Sequence, residues 1–277
     1  MAKQSKLQQM ANAFSVNNFD VQNNLDTLER SFDKLDKQIE AMYMDLLNQL
    51  DIVDGDLVSS QDMNKIYSFI NKEYNGILKN SNYMDIFGNL YSVKNDVYSL
   101  HRTYNGIEVP DNGTFNSFLD AANTEISKGN VMWNKTPIIQ SLNRAVLSEI
   151  SITKLRKNID DWIDGQQGNV LGVQIKKFKT YAGQIARDSV FQARGAINEQ
   201  VGQMIDATQF LYVGGLVRDS RPICKHLVDK ETNDYDDLPN LIAKYPDGLY
   251  PGTNKSNFTQ LRGGYNCLHE VIPYNDI

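Results

Sequence analysis

The stretch VQNNLDTLERSFDKLDKQIEAMYMDLLNQL, residues 21–50, decides the class of this fold. Its apolar positions are Val21, Leu25, Leu28, Phe32, Leu35, Ile39, Met42, Leu46 and Leu50, separated by intervals of four and three residues. At about 3.6 residues per turn those intervals return to one face, so the spacing predicts a helix of about nine turns over roughly residues 19–53. The remaining faces are polar and acidic: residues 1–60 carry five Lys or Arg against ten Asp or Glu. A stripe of this length suits a helix packed on its own chain, and it also suits an intermolecular coiled coil. The first arrangement is expected here.

Working outward, residues 61–104 read as two helices broken near Asn80-Ser81-Asn82, and NGIEVPDNGT at 105–114 reads as a loop. Thr136-Pro137 is a start signal, a capping Thr followed by Pro at the first helical position. The helix it opens is predicted to reach about Asp164, where GQQG at 165–168 stops it. Another is predicted over roughly Val173 to Thr208, with Phe178, Ile185, Ala193, Ile197, Val201 and Ile205 on one side. FLYVGG at 210–215 then reads as a strand ending in a glycine turn, PNLIAKY at 239–245 as a short helix, and 267–274 as a strand. The predicted class is mainly α, with long helices, a helical-hairpin or coiled-coil-like N-terminal region, and a small loop-rich α+β C-terminal subdomain. The expected division is a long-helix interaction region at 1–170 and a C-terminal region at 171–277, loop-rich from 209.

Of the 277 residues, 41% are hydrophobic and 22% charged, the balance of an ordered globular chain. The apolar runs are only a few residues long, so no membrane span is expected. The first residues, MAKQSKLQQMANAF, lack the apolar core of a secretory signal, which predicts folding in a reducing cytosol. A net charge of −6 argues against a protein that coats nucleic acid with its whole surface. A local patch is compatible with it. Residues 151–200 hold eight basic side chains against five acidic ones, and Lys176, Lys177 and Lys179 are the candidate phosphate contacts.

The chain has two cysteines and three histidines, and both cysteines are followed two positions on by histidine: Cys224 with His226, and Cys267 with His269. Thiolate and imidazole suit Zn²⁺, and four such ligands make a closed tetrahedral site. In a strand, residues two apart share a face, so Cys267 and His269 can reach one ion. A metal at Cys224, His226, Cys267 and His269 also supplies a crosslink to a loop-rich tail of modest apolar content. Two other readings stand beside it: separately buried thiols with hydrogen-bonded histidines, and a Cys224–Cys267 disulfide. Asp219 and Arg221, in DSR, are expected to form a buried ion pair that fixes the loop before Cys224. No phosphate-binding glycine loop, nucleophile elbow or zinc-protease motif is present, and no enzymatic activity is expected. DKETNDYDD at 229–237 lacks the Gly and Glu positions of a calcium loop and reads as a hydrated turn.

Taken in order, residues 175–274 resemble the C-terminal domain of tailed-phage minor head proteins, the Mu F-type head-morphogenesis and minor capsid protein 2 families. The matching elements are a long helix containing ARDSVFQARGAINEQ, a strand, DSR at 219–221 with Cys224 and His226 following, and Asn266-Cys267-Leu268-His269 leading into a strand ending Ile272-Pro273-Tyr274. Leu268 stands where the family usually has Arg, and Leu227-Val228-Asp229-Lys230 where it often has Leu-Asp-Gly. The resemblance implies a structural virion protein present in several copies. It would be associated with the portal vertex or capsid interior, be made in the host cytoplasm, and serve head assembly or genome delivery. Its implied partners are the portal and other head proteins, with packaged DNA reached through the weak basic patch. An alternative of another class is a phage-borne enzyme or toxin-like effector that uses the Cys/His site.

Overall fold

The structure, a computed structural model, describes residues 5–49, 52–53, 56–57, 60–129, 135–148, 150–163, 169–175 and 177–275. It is mainly α-helical, as the periodicity predicts. Helix α1 spans Lys6–Gln49, starting well before the predicted residue 19. From Val21 to Leu46 every apolar position of the seam is buried, none more than 4% exposed, and Leu50 lies outside the described residues. The stripe is therefore covered within the chain rather than left for a coiled-coil partner.

A short hairpin, β1 (Ile52–Val53) with β2 (Asp56–Leu57), is followed by α2 (Ser60–Asn80), α3 (Tyr83–Gly88) and α4 (Val93–Asn105). The break at 80–82 falls where Asn and Ser predict it. Helix α4 ends on Gly106, whose left-handed φ of 68° lets its N–H reach the His101 carbonyl. Helix α5 (Thr114–Gly129) was not anticipated. Helix α6 (Thr136–Leu147) starts at the Thr-Pro signal but stops early, and α7 (Ile152–Ile163) is a separate helix. Two bonds enforce the break: Ile150 N–H closes onto the Ala145 carbonyl at 3.0 Å, and Ser151 Oγ accepts from Lys154 N–H at 3.4 Å as a new N-cap. The GQQG stop lies outside the described residues.

The last long helix, α8 (Phe178–Met204), begins later than residue 173 because Leu171 and Gly172, with φ of 51° and 75°, form a two-residue turn. That turn joins β3 (Asn169–Val170) to β4 (Val173–Gln174). Asp36 of α1 then fixes the helix start, its two carboxylate oxygens accepting from Phe178 N–H at 2.8 Å and Lys179 N–H at 2.9 Å. Burial pushes its pKa up to about 6, with the two N–H bonds opposing. Folding therefore takes up a proton between about pH 4 and 6, and this carboxyl contributes less as pH rises through that window. Asp36→Ala strands both N–H groups in the interior. A loss of about 2 kcal/mol is expected in urea unfolding of the whole chain; a change below about 0.5 kcal/mol would show that α8 starts without this cap.

The chain divides into two compact units, and not at residue 170. One comprises Met1–Asp26, Ile86–Asn123 and Ile185–Ile277; the other comprises Thr27–Asp85 and Thr124–Gln184. A boundary at 170 fails because α1 and α8 are continuous helices that each contribute residues to both units. The second unit is centred on an aromatic group of Phe32, Tyr83 and Phe178 with ring centroids 5.6–6.4 Å apart.

The first unit contains the only three-stranded sheet among the described residues, with order β6-β5-β7, all antiparallel: β5 (Gln209–Val213), β6 (Asn233–Asp234) and β7 (Glu270–Tyr274). The central strand QFLYV is buried on both faces, which explains its unbroken apolar run. Phe210, Tyr212 and Val271 face a core with α9 (Pro222–Val228), α10 (Leu238–Lys244) and α11 (Phe258–Leu261). Leu211, Val213 and Ile272 face Met10 and Phe14 of α1.

Candidate metal centre

The two segments that carry the cysteines converge on the first of those sheet faces. Cys224 sits on α9, and Cys267 and His269 sit on the extended strand lead-in 267–269. Their ligand atoms all lie within 4.8 Å of one another, and the residues are 2, 3 and 4% exposed. Both cysteines are free, so the disulfide reading is not realised. The period of two holds in the lead-in: Cys267 and His269 point the same way, with Sγ and Nδ1 3.6 Å apart.

His226 does not join them. Pro222 opens a helix, and in a helix residues two apart are about 200° apart around the axis. Cys224 turns inward, while the half-buried His226 ring lies 5.7 Å from Tyr245. The symmetric reading of two equivalent Cys-x-His pairs is thus corrected to a three-residue cluster.

The Asp219–Arg221 pair is not formed either. Asp219 is exposed on the loop, and Arg221 donates through Nη2 to the Tyr265 carbonyl at 2.6 Å, tying the start of α9 to the loop that carries Cys267. Asn266 holds a left-handed φ of 54°, and its N–H donates to Asp188 on α8 at 2.9 Å. The Leu268 carbonyl accepts from Asn18 Nδ2 of α1 at 2.8 Å. Three bonds, from α1, from α8 and from the residue that caps α9, therefore position the cysteine-bearing strap. Of the basic stretch, Lys176 lies outside the described residues. Lys177 pairs with Glu40 at 3.0 Å and Lys179 with Asp33 at 3.1 Å, so acids of α1 already answer their charge.

Three residues around the cluster were not picked out from the sequence. Tyr212 Oη stands 3.4 Å from Cys224 Sγ and 3.5 Å from Cys267 Sγ, and its ring stacks on His269 at 5.0 Å and 11°. Gly263 presses its backbone against the sulfurs: a Cβ there would overlap Cys224 Sγ and lie 3.0 Å from Cys267 Sγ. Arg262 is fully buried with a φ of 54°; its guanidinium lies over the Phe191 ring at 5.1 Å, and among the described residues none of its side-chain nitrogens has a hydrogen-bond partner. Gly195 on α8 makes room for this corner, since a Cβ would come within 2.6 Å of the Thr259 carbonyl oxygen.

The electrostatics favour one ionised sulfur. The S–H of Cys224, the His269 imidazole and the Arg262 charge hold Cys267 well below the usual thiol range, against the opposing effect of burial. Its anionic neighbour, then burial, push Cys224 up. Two thiols, one of them held low, beside an imidazole are the donor chemistry of a zinc or similar soft-metal site. Stacking on Tyr212 orients the His269 ring so that Nδ1 is the nitrogen beside Cys267 Sγ, while Nε2 is buried with no hydrogen-bond partner among the described residues.

On the other sheet face the chain buries a full ion pair. Arg194 of α8 donates to Glu270 of β7 through Nε at 2.5 Å and Nη2 at 2.6 Å, and to Asn17 Oδ1 of α1 at 2.7 Å. His101 is enclosed nearby, bonded to Asn198 at 2.7 Å, and burial lowers its pKa to about 4. Among the described residues no helix is long and apolar enough to cross a membrane. In comparisons with known proteins, the chain matches no family model, no curated protein and no solved structure.

Proposed function

We propose that this chain is a structural minor head protein of a tailed phage, docked at the portal vertex or inner capsid face in several copies. In this reading Cys224, Cys267 and His269 hold a structural Zn²⁺ ion that fastens the loop-rich C-terminal subdomain. One observation carries the proposal. Elements whose order resembles the phage family lie in one compact unit and surround one buried cluster: α8 from Ile185 onward, β5, the Cys224 helix, and the Asn266–His269 strap running into β7.

The rest of that unit supports a scaffolding role. Its sheet is tied to α1 and α8 by the Arg194–Glu270–Asn17 network, and α1 leaves Val16 and Phe19, three residues apart, each 63% exposed as an apolar contact for a partner. The test is mass spectrometry of gradient-purified phage particles, with cryo-electron microscopy of the portal vertex. The expected result is a few copies per particle, with helical density at the vertex or inner shell. Absence from mature particles rules out a stable virion role.

A further inference from the structure

We propose that Tyr212 is the fourth ligand of the metal site, closing it as a Cys₂-His-Tyr tetrahedron; this rests on the zinc reading above. With Zn–S near 2.3 Å and Zn–N and Zn–O near 2.1 Å, a tetrahedral angle sets the S···O and S···N edges at about 3.6 Å. The structure has Tyr212 Oη at 3.4 and 3.5 Å from the two sulfurs, and Cys267 Sγ at 3.6 Å from His269 Nδ1. Three of the six edges of the coordination figure are thus already close to their expected length.

The sheet explains why this tyrosine reaches the site. Tyr212 pairs with Val271 in the β5–β7 ladder, so His269, two residues before Val271, is its diagonal neighbour on the same face. The rings stack, and Oη and Nδ1 both lie beside Cys267 Sγ. On the remaining side the Gly263 backbone leaves no room for a side chain, with a built Cβ only 3.1 Å from Tyr212 Oη.

Charge balance agrees with an anionic oxygen as the fourth donor. A divalent ion, two thiolates and a neutral imidazole sum to zero, which leaves the partnerless buried guanidinium of Arg262 uncompensated. A coordinated phenolate brings the site to one negative charge, and Arg262 brings the whole to neutrality. On loading, the Tyr212 proton and the protons the two thiols carry leave to solvent, and no redox change occurs. The closed site then holds no metal-bound water, which is the difference between a structural and a catalytic zinc centre.

Cobalt reports on this directly. The full-length protein is loaded with Co²⁺ and its visible spectrum recorded beside that of Tyr212→Phe, which keeps the ring that packs on His269 and Phe258. The native protein is expected to show four-coordinate bands unchanged by azide. Tyr212→Phe is expected to show altered bands that azide shifts further, and zinc affinity weaker by about tenfold or more. Identical spectra for the two proteins overturn the inference. If the variant does not fold, the native protein still decides it. An open site carries a water that titrates near about pH 7 and makes the spectrum pH-dependent, and that result also overturns the inference. Failure to take up cobalt or zinc at all sinks the metal reading itself, which distinguishes the two failures.

Discussion

Glu270→Ala is expected to destabilise the folded protein by about 4 kcal/mol in equilibrium urea unfolding, because it strands a guanidinium in the interior. Arg194 is 0% exposed and Glu270 1%, and the two meet through a pair of bonds of 2.5 and 2.6 Å. The intact pair contributes little net stability, since desolvating two charges offsets most of their attraction. Removing one partner leaves the desolvation cost with no attraction against it. The reverse change should therefore be mild. Replacing both residues by apolar ones, Arg194→Met with Glu270→Leu, is expected to recover most of the loss, short of what Asn17 forfeits as a partner. If Glu270→Ala costs less than about 1 kcal/mol, the charge is reaching water and the sheet is not seated on α8 as described.

The second large effect is metal removal. A ligand present at about a thousand times its dissociation constant stabilises the folded state by about 4 kcal/mol. For a chain of this length that corresponds to about 10 °C in Tm. Chelation of the purified protein is expected to lower Tm by about that amount, with zinc restoring it. Cys224→Ser and Cys267→Ser should each reproduce the chelated Tm, and the double variant should be no worse than either, since the first loss already empties the site. Enzymatic use of the same cluster predicts otherwise: the variants lose an activity while Tm barely moves. Additive losses from the two serines, with no response to chelator, would indicate two independently buried thiols.

The seam of α1 was legible because its intervals of three and four residues admit one periodicity over more than seven turns, and burial from Val21 to Leu46 follows it residue by residue. The break at Ser151 was not legible, because a serine in an apolar-periodic run fits a helix interior until its hydroxyl is seen accepting from Lys154. At the metal centre, the pairing of Cys with His was visible, and convergence of Cys224 with Cys267 follows it. His226 was misplaced because the strand argument covers only Cys267 and His269, and the backbone at the first pair was left unread. Pro222 directly after Arg221 was the signal that the first pair lies on a helix and must splay.

Tyr212 was hidden in the apolar run FLYV, and only the register of β5 against β7 puts its hydroxyl beside the sulfurs. Glu270 and Arg194 did leave a trace. Each is a charge set among the apolar residues of an otherwise buried strand or helix face, and two such intrusions of opposite sign in one domain are a candidate pair. Arg262 left none, since its turn is irregular and the ring it lies over, Phe191, belongs to a distant segment.

The most direct measurement is elemental analysis of the full-length protein, purified without chelator and beside Cys267→Ser. Convergence of Cys224, Cys267, His269 and Tyr212 on one ion predicts about one zinc per native chain and almost none in the variant. Less than about a tenth of an equivalent in the native protein, or equal zinc in both, contradicts it.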